Sequence, residues 1–260
     1  MQRSETILRL NKMLLKELPQ YNEQAQAFMG DVDSERRLLR SLMNVRPPMT
    51  VSEEFLTLQD ALLSQECEEK GVVDVDALPT TKDPRIVLWQ GDITRLKADA
   101  IVNAANSAML GCFAPCHRCI DNTIHSAAGV QLRQECYRLM KERGDEKPTG
   151  CAKITAGYNL PAKYVLHTVG PIINKNLTSQ SCDELKNCYR ACLSLAAEHD
   201  LASIVFCCIS TGEYHFPQQK AAEIAVQTVN DFLCSDEKIQ KVVFNMFTQE
   251  DRIIYKNLLL

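Results

Sequence analysis

The sequence predicts an α/β fold: a largely parallel sheet covered by helices on both faces, preceded by a helical segment. Two observations predict it. After Pro84, short continuous apolar runs alternate with longer amphipathic segments, and buried strands separated by helices are typical of a two-faced parallel sheet. Before residue 80, apolar residues recur at three- and four-residue spacing, which is the helical period. With 260 residues and 45% hydrophobic residues, the chain can bury a sizeable core.

The N-terminal segment is predicted to contain three helices. The apolar positions that define them are Ile7, Leu10, Leu14 and Leu18 in the first, Leu38, Leu39, Leu42 and Met43 in the second, and Phe55, Leu58 and Leu62 in the third. Pro47 and Pro48 end the second helix, and Thr50 with Glu53 resembles a capping box that opens the third. We expect residues 1–82 to form a helical extension packed on a main domain of residues 83–260.

The main domain is predicted to contain six strands and four helical stretches. The strand candidates are residues 86–89, 100–102, 153–155, 164–169, 204–209 and 242–247. The helical stretches lie near residues 120–142, 182–199, 218–233 and 249–258. In such sheets the ligand binds outside the carboxyl ends of the strands, so the loops that follow the strands are where functional residues are expected.

Charge and composition exclude several classes of protein. Lys and Arg number 29 against 33 Asp and Glu, and this acidic balance disfavours nucleic-acid binding through bulk charge. No apolar run reaches the length of a membrane-spanning helix, and the first residues lack the apolar region of a signal peptide. We therefore expect a cytoplasmic protein, without membrane association, whose 12 cysteines are thiols.

One loop concentrates metal-binding residue types. Cys112, Cys116, His117 and Cys119 fall within eight residues, and thiolate with imidazole favours zinc. Three protein ligands with an open fourth position are the pattern of a catalytic or ligand-binding zinc. The alternatives are a loop of free thiols and a structural zinc knuckle for RNA, the latter disfavoured because Arg118 is the loop's only basic residue.

Polar residues lie after two of the predicted strands and at the start of the helix that follows. Asp92 comes after the first strand, Asn106 follows the second, and Asp121 opens the next helix beside the cysteine loop. Taken singly, Asp and Asn at strand ends and helix starts are usually turn or capping residues. A carboxylate beside a metal loop can also accept a proton or position a water molecule.

The loop from Ser210 to Tyr214 lies between an apolar strand and a helix. Gly and hydroxyl residues in this position can form a nest of backbone N–H groups that binds phosphate. The loop lacks the Lys-Ser/Thr ending of a P-loop and the three-glycine pattern of a dinucleotide-binding turn. A diphosphate bound mainly by backbone amides, with Tyr214 stacked on a sugar, fits this pattern.

Taken together and in order, these segments resemble the macrodomain, an ADP-ribose-binding fold. The matching segments are Gly91–Ile93, Asp99–Asn106, Ile120–Asp121, His125–Gly129, and Ser210–Gly212 with Pro217. The resemblance covers about residue 86 to the end of the chain and implies a three-layer α/β/α sandwich with a mixed central sheet. The cysteine loop stands where many members have a glycine-rich loop, which resembles the zinc-dependent microbial subfamily. His215 stands where many macrodomains have Gly.

The resemblance also implies roles for individual residues. Asp92 and Ile93 would bind adenine, Asn106 would contact the distal ribose, and Asn106 and Asp121 would be the catalytic pair. The remaining ADP-ribose ligands would be Cys119, Ile120, Ser210, Thr211, Gly212, Glu213 and Tyr214. Cys112, His117 and Cys119 would hold one Zn²⁺ per chain, while Cys116 is not required by the subfamily pattern.

The implied activity is hydrolysis that removes mono-ADP-ribose from modified protein side chains. The subfamily is associated with lipoyl carrier proteins, so an ADP-ribosylated carrier is one candidate substrate by analogy. The alternative is a non-catalytic reader that binds ADP-ribose and carries a structural zinc. A reader would need the pocket but neither Asp121 nor the metal residues, so their presence favours the hydrolase.

Overall fold

The computed structural model describes residues 2–28, 30–143 and 149–260, and these residues form nine α-helices and eight strands. The helices are α1 (Arg3–Glu17), α2 (Asn22–Ala25), α3 (Val32–Val45), α4 (Glu53–Lys70), α5 (Ile120–Ala128), α6 (Val130–Arg143), α7 (Ser179–Glu198), α8 (Gln218–Leu233) and α9 (Gln249–Leu259). The strands are β1 (Val73–Asp74), β2 (Ile86–Gln90), β3 (Leu96–Lys97), β4 (Ala100–Ala104), β5 (Ala152–Ala156), β6 (Tyr164–Thr168), β7 (Ser203–Phe206) and β8 (Lys241–Met246).

Six strands form the central sheet in the order β2-β8-β7-β4-β6-β5. Every neighbouring pair is parallel except β5–β6, which is antiparallel. These two strands are joined by a short turn closed by a hydrogen bond from Gly157 N to Lys163 O, and so short a connection can only join antiparallel strands. The six predicted strands are confirmed, and the sheet is mixed, as the resemblance implied.

Helices cover both faces of this sheet. Helices α7, α8 and α9 pack side by side, while α5 and α6 contact β4 and β5. The single helix predicted near residues 120–142 is instead two helices, because Gly129 ends α5 in a left-handed conformation with φ of 100°. The result is the predicted three-layer α/β/α sandwich, whose buried core lies between the sheet and its helices.

The N-terminal helices form a second, smaller core. Buried apolar residues of α1, α3 and α4 pack together and against Val130 of α6. The predicted capping box at Thr50 is wrong: the N-cap of α4 is Ser52, whose side chain accepts a hydrogen bond from Phe55 N. Ser52 provides the cap because it directly precedes the first helical residue, so its hydroxyl reaches the free amides of the first turn. Among the described helices, none is long and apolar enough to cross a membrane.

A first prediction tests this second core with two identical substitutions on α1. Leu10 is 0% exposed and Leu8 is 51% exposed. We expect Leu10→Ala to lower the free energy of unfolding by about 2–5 kcal/mol, because it removes buried methyl groups and leaves a cavity. Leu8→Ala should change it by less than about 0.5 kcal/mol. Urea denaturation of both variants measures the difference, and equal effects would contradict the burial of this helix face.

Candidate functional site

The candidate site is built at the carboxyl ends of the parallel strands, beginning with a buried carboxylate. Asp121, in the first turn of α5, is 4% exposed. Its Oδ1 accepts a hydrogen bond from Asn103 Nδ2 at 2.8 Å, and its Oδ2 accepts one from Asn106 Nδ2 at 3.1 Å. Strand β4 ends at Ala104, so both amides lie where the sheet meets α5. The structure thus brings the two predicted catalytic residues together.

The environment of Asp121 changes its acidity. Burial raises the pKa of its carboxyl to about 6, partly opposed by the Asn103 hydrogen bond and by the positive charge of Arg133. Such a group is a stronger base than an exposed Asp and still largely ionised at neutral pH. A carboxylate of this kind can accept a proton in a catalytic step.

A buried hydrogen-bond network, which sequence analysis did not identify, supports this carboxylate. Asn103 Nδ2 also lies 3.2 Å from His167 Nδ1, and His167 Nε2 lies 2.9 Å from Thr155 Oγ1. Burial lowers the pKa of His167 to about 3, so the ring is neutral and its Nδ1 can accept the Asn103 hydrogen. In the sequence, His167 lies within a largely apolar strand run, and nothing there indicates this role. Only the pairing of β4 with β6 places it opposite Asn103.

A glycine permits the close packing behind the site. Gly111 has φ of 78°, and a Cβ added there would lie 2.8 Å from Cγ of His125. The loop can therefore approach α5 closely only with glycine at this position. His125 is buried, and its Nε2 lies 3.5 Å from Asp121 Oδ1.

The three predicted metal ligands converge. The candidate ligand atoms of Cys112, His117 and Cys119 all lie within 4.8 Å of one another, and Cys112 Sγ is 3.6 Å from His117 Nδ1. Ligands at ordinary Zn–S and Zn–N bond lengths around a tetrahedral ion are about 3.3–3.8 Å apart. Burial, with a further contribution from the Cys112 thiol, raises the pKa of Cys119 to about 12. A bound cation would oppose both effects. The donor set of two thiols and an imidazole, and the close approach of these atoms, fit zinc.

The second nitrogen of His117 faces a residue from another loop. His117 Nε2 lies 3.6 Å from Glu213 Oε1, and Glu213 belongs to the predicted phosphate-binding loop. A carboxylate on the far nitrogen of a metal-binding histidine fixes the ring orientation. Cys116 is not part of this cluster, and its Sγ instead lies 3.3 Å from Ser41 Oγ.

The loop after β7 has the backbone geometry expected of an anion site. Ser210 adopts a left-handed conformation with φ of 65°, and its buried Oγ has no hydrogen-bond partner among the described residues. The amides of Gly212, Glu213 and Tyr214 donate no hydrogen bond to any described residue. The loop is anchored by Ile173 N, which donates to Tyr214 O at 2.9 Å. Consecutive free N–H groups can bind a phosphate.

Asp92 lies at the same sheet edge but apart from Asp121. It follows β2, which is three strand spacings, or about 14 Å, from β4 in the sheet. Its Oδ1 accepts hydrogen bonds from Thr94 N and Oγ1, so this side chain also caps a turn. Ile93 is 2% exposed and packs in the main core, whereas Ile120 is only partly buried. The arrangement suits a ligand with two ends, one near Asp92 and one near Asp121.

The fold, together with the polar residues at the carboxyl ends of its parallel strands, defines a class of protein: the chain belongs to the macrodomain family. The Macro domain family pattern matches residues 102–225. Among solved structures, the Trypanosoma brucei macrodomain in complex with ADP-ribose is similar with a TM-score of 0.65 and 31% identity, over 84% of this chain and 94% of that one. A macrodomain of Oceanobacillus iheyensis solved with ADP has a TM-score of 0.61 and 37% identity, over 69% of this chain and 92% of that one.

Curated relatives narrow the class. A protein-ADP-ribose hydrolase of Treponema medium is 51% identical over 262 aligned residues, which cover 100% of both chains. A protein of the same name from Staphylococcus aureus strain MSSA476 is 51% identical over 84% of this chain and 82% of that one. The similarity to the first relative therefore includes the N-terminal helices as well as the sandwich.

Proposed function

We propose that this protein is a hydrolase that releases mono-ADP-ribose from modified protein side chains and carries one zinc ion. The observation that supports it most is the buried Asp121, held by Asn103 and Asn106 beside a cluster of two thiols and an imidazole. A protein that only binds ADP-ribose has no need of a carboxylate whose pKa is raised toward neutrality. The names of the relatives at 51% identity agree with hydrolysis of protein-linked ADP-ribose, whereas the zinc rests on the residue cluster alone.

In the proposed reaction, the bond between the anomeric carbon of the distal ribose and the protein side chain is cleaved. Water supplies the oxygen that bonds to this carbon, the leaving side chain takes one proton, and positive charge develops on the sugar in the transition state. Asn106 orients the ribose, and Asp121 orients the water and accepts its proton at a carboxylate oxygen; the same proton then passes to the leaving side chain, which returns Asp121 to its ionised form. The negative charge of Asp121 also stabilises the developing cation.

Cys112, His117 and Cys119 are the residues that would hold the zinc. A zinc ion bound there would supply Lewis-acid chemistry, acting on a ribose hydroxyl or lowering the pKa of a water molecule. Glu213 Oε1 lies 3.6 Å from His117 Nε2 and so places negative charge beside the second nitrogen of this ring. The amides of the loop from Ser210 to Tyr214 hold the diphosphate, and Asp92 accepts a hydrogen bond from the adenine amine.

The test is release of labelled ADP-ribose from a mono-ADP-ribosylated protein. An ADP-ribosylated lipoyl carrier protein and an unrelated ADP-ribosylated protein serve as two substrates, because the carrier is a prediction from resemblance alone. Turnover on either substrate supports hydrolysis, and faster turnover on the carrier supports that substrate. Tight ADP-ribose binding without release from either one would favour the non-catalytic reader.

A second prediction concerns adenine recognition. Asp92→Ala should weaken ADP-ribose binding roughly tenfold or more, because the adenine amine loses a charged acceptor. Asp74→Ala is a matched control: Asp74 also caps a turn, accepting from Asp76 N at 3.0 Å, but it lies outside the candidate site. Titration calorimetry with ADP-ribose measures both variants. Wild-type affinity in Asp92→Ala would remove this residue from the adenine site.

Three predictions about the whole protein remain proposals. The first is the division into an extension of residues 1–82 and a main domain of residues 83–260. The end of the extension contacts the main domain, because its strand β1 pairs with β3 and its Val75 packs in the main core. The cytoplasmic location and the lack of nucleic-acid binding rest on composition and charge.

A further inference from the structure

Helix α3 of the N-terminal segment directly contacts the loop that carries the candidate metal ligands. Arg40 Nη2 donates to His117 O at 3.1 Å and to Asn122 Oδ1 at 2.9 Å. Asn122 Nδ2 in turn donates to Ala114 O at 2.9 Å. One guanidinium nitrogen therefore fixes the backbone of a ligand residue and also the amide that holds the middle of the loop.

A second side chain of α3 holds the turn of the loop. Asn44 Oδ1 accepts a hydrogen bond from Cys116 N at 2.9 Å, and Asn44 Nδ2 donates to Ser126 Oγ at 2.9 Å. Cys116 is in a left-handed conformation with φ of 53°, which is unfavourable for a residue other than glycine. The hydrogen bond from its amide stabilises this conformation, directly before the ligand His117.

Arg133 of α6 ties the start of the loop to the end of α3. Its Nη1 donates to Met43 O, Asn44 O and Arg46 O at 3.0, 2.8 and 2.6 Å, where the carbonyls at the helix end need donors. Its Nε donates to Leu110 O at 2.6 Å. Arg133 is 5% exposed, so this buried cation keeps α3 and the loop in a fixed relation.

We propose that α3 is part of the metal site, with Arg40 and Asn44 as positioning residues that hold the loop from Cys112 to Cys119 in its ligand geometry. The inference rests on the proposed zinc site. All three ligands come from one segment, of which residues 111–118 lie outside helices and strands. Without contacts from α3, this loop would have to be ordered when the metal binds, and the entropy cost would weaken metal binding. Loss of outer contacts of this kind typically lowers metal affinity 10–100-fold.

The coupling must also act in the opposite direction. If the docked helix raises zinc affinity, bound zinc raises the stability of the docked helix by the same factor. Hydrogen exchange of the α3 amides should therefore be slower in the zinc-loaded protein than in the chelated protein. Amides of α9, which lies against β2 and β8 and away from the loop, provide an internal control.

The test measures zinc affinity of the full-length chain by competition with a chromophoric chelator. Arg40→Ala and Asn44→Ala should each bind zinc about 10–100-fold more weakly than wild type. Arg37→Ala is the matched control, because it removes the same charge from the same helix and its side chain makes no hydrogen bond within the described ranges. Arg40→Lys, which keeps the charge but loses the planar donor group, should lie between wild type and Arg40→Ala.

Wild-type zinc affinity in both alanine variants would overturn the proposal. Circular dichroism of the chelated proteins identifies a variant that has simply unfolded, and Arg40→Lys then provides the comparison. Zinc affinity does not depend on turnover. If the α3 variants bind zinc more weakly but the wild-type protein releases no ADP-ribose, the hydrolase proposal is refuted and this inference stands. A wild-type protein that binds no zinc would refute both the metal site and the role of α3.

Discussion

Asp121→Ala is expected to release ADP-ribose from modified protein about a hundredfold or more slowly than wild type, the usual scale for loss of an acid–base group. Binding of free ADP-ribose and the zinc content should both survive. The reason is positional: Asp121 accepts hydrogen bonds from Asn103 and Asn106 and is not one of the three converging metal ligands. Alanine is the cleaner substitution, because asparagine would turn its own NH₂ group toward one of these two donors.

A matched control separates chemistry from the general cost of removing a buried carboxylate. Asp251 is also buried, its carboxylate accepts hydrogen bonds from Thr248 Oγ1 at the N-cap of α9 and from Gln218 Nε2, and it is not among the proposed ADP-ribose or metal ligands. Asp251→Ala should lower stability without changing the rate of ADP-ribose release. Single-turnover assays with enzyme in excess compare the two variants. Wild-type rates in Asp121→Ala would show that this carboxylate is not the catalytic base.

Most strands of the central sheet were predictable because they contain a short apolar run, such as Ile86–Trp89 in β2. Periodicity does not encode strand direction, so it could not reveal that β5 is antiparallel. The helix break at Gly129 was missed because apolar spacing continues through it. The break is visible only in the conformation of Gly129 and in its close approach to Gln59, where an added Cβ would lie 2.6 Å from Nε2.

In the candidate site, too, some residues were predictable from the sequence and others were not. Cys112, His117 and Cys119 were predictable because their spacing is local and their chemistry is distinctive. The supporting residues were not, because each belongs to another element: His167 comes from β6, and Arg40 and Arg133 come from α3 and α6. An arginine on a helix looks like a surface residue until tertiary packing surrounds it with carbonyl groups.

Removal of zinc is expected to have the second large effect. Cys119→Ser should leave the protein with little or no zinc and abolish turnover, whereas some ADP-ribose binding should survive at Asp92 and the phosphate loop. Serine is the informative substitution because Cys119 has two roles: its Sγ also accepts a hydrogen bond from Asn122 N at 3.4 Å and caps α5. Serine is a good helix cap but lacks the soft thiolate that zinc prefers. The variant therefore removes the metal ligand and keeps the helix start.

Cys116→Ala is the matched control, because it removes a thiol from the same loop but outside the ligand cluster. It should retain a full zinc content by elemental analysis and most of its turnover. Full zinc content in both Cys119→Ser and His117→Ala would refute the assigned ligands. Wild-type protein treated with chelator gives the independent comparison: once zinc is shown to be absent, the rate of ADP-ribose release should fall to that of Cys119→Ser. An unchanged rate in zinc-free protein would mean that Asp121 and Asn106 are sufficient for catalysis and that any metal in this loop is structural.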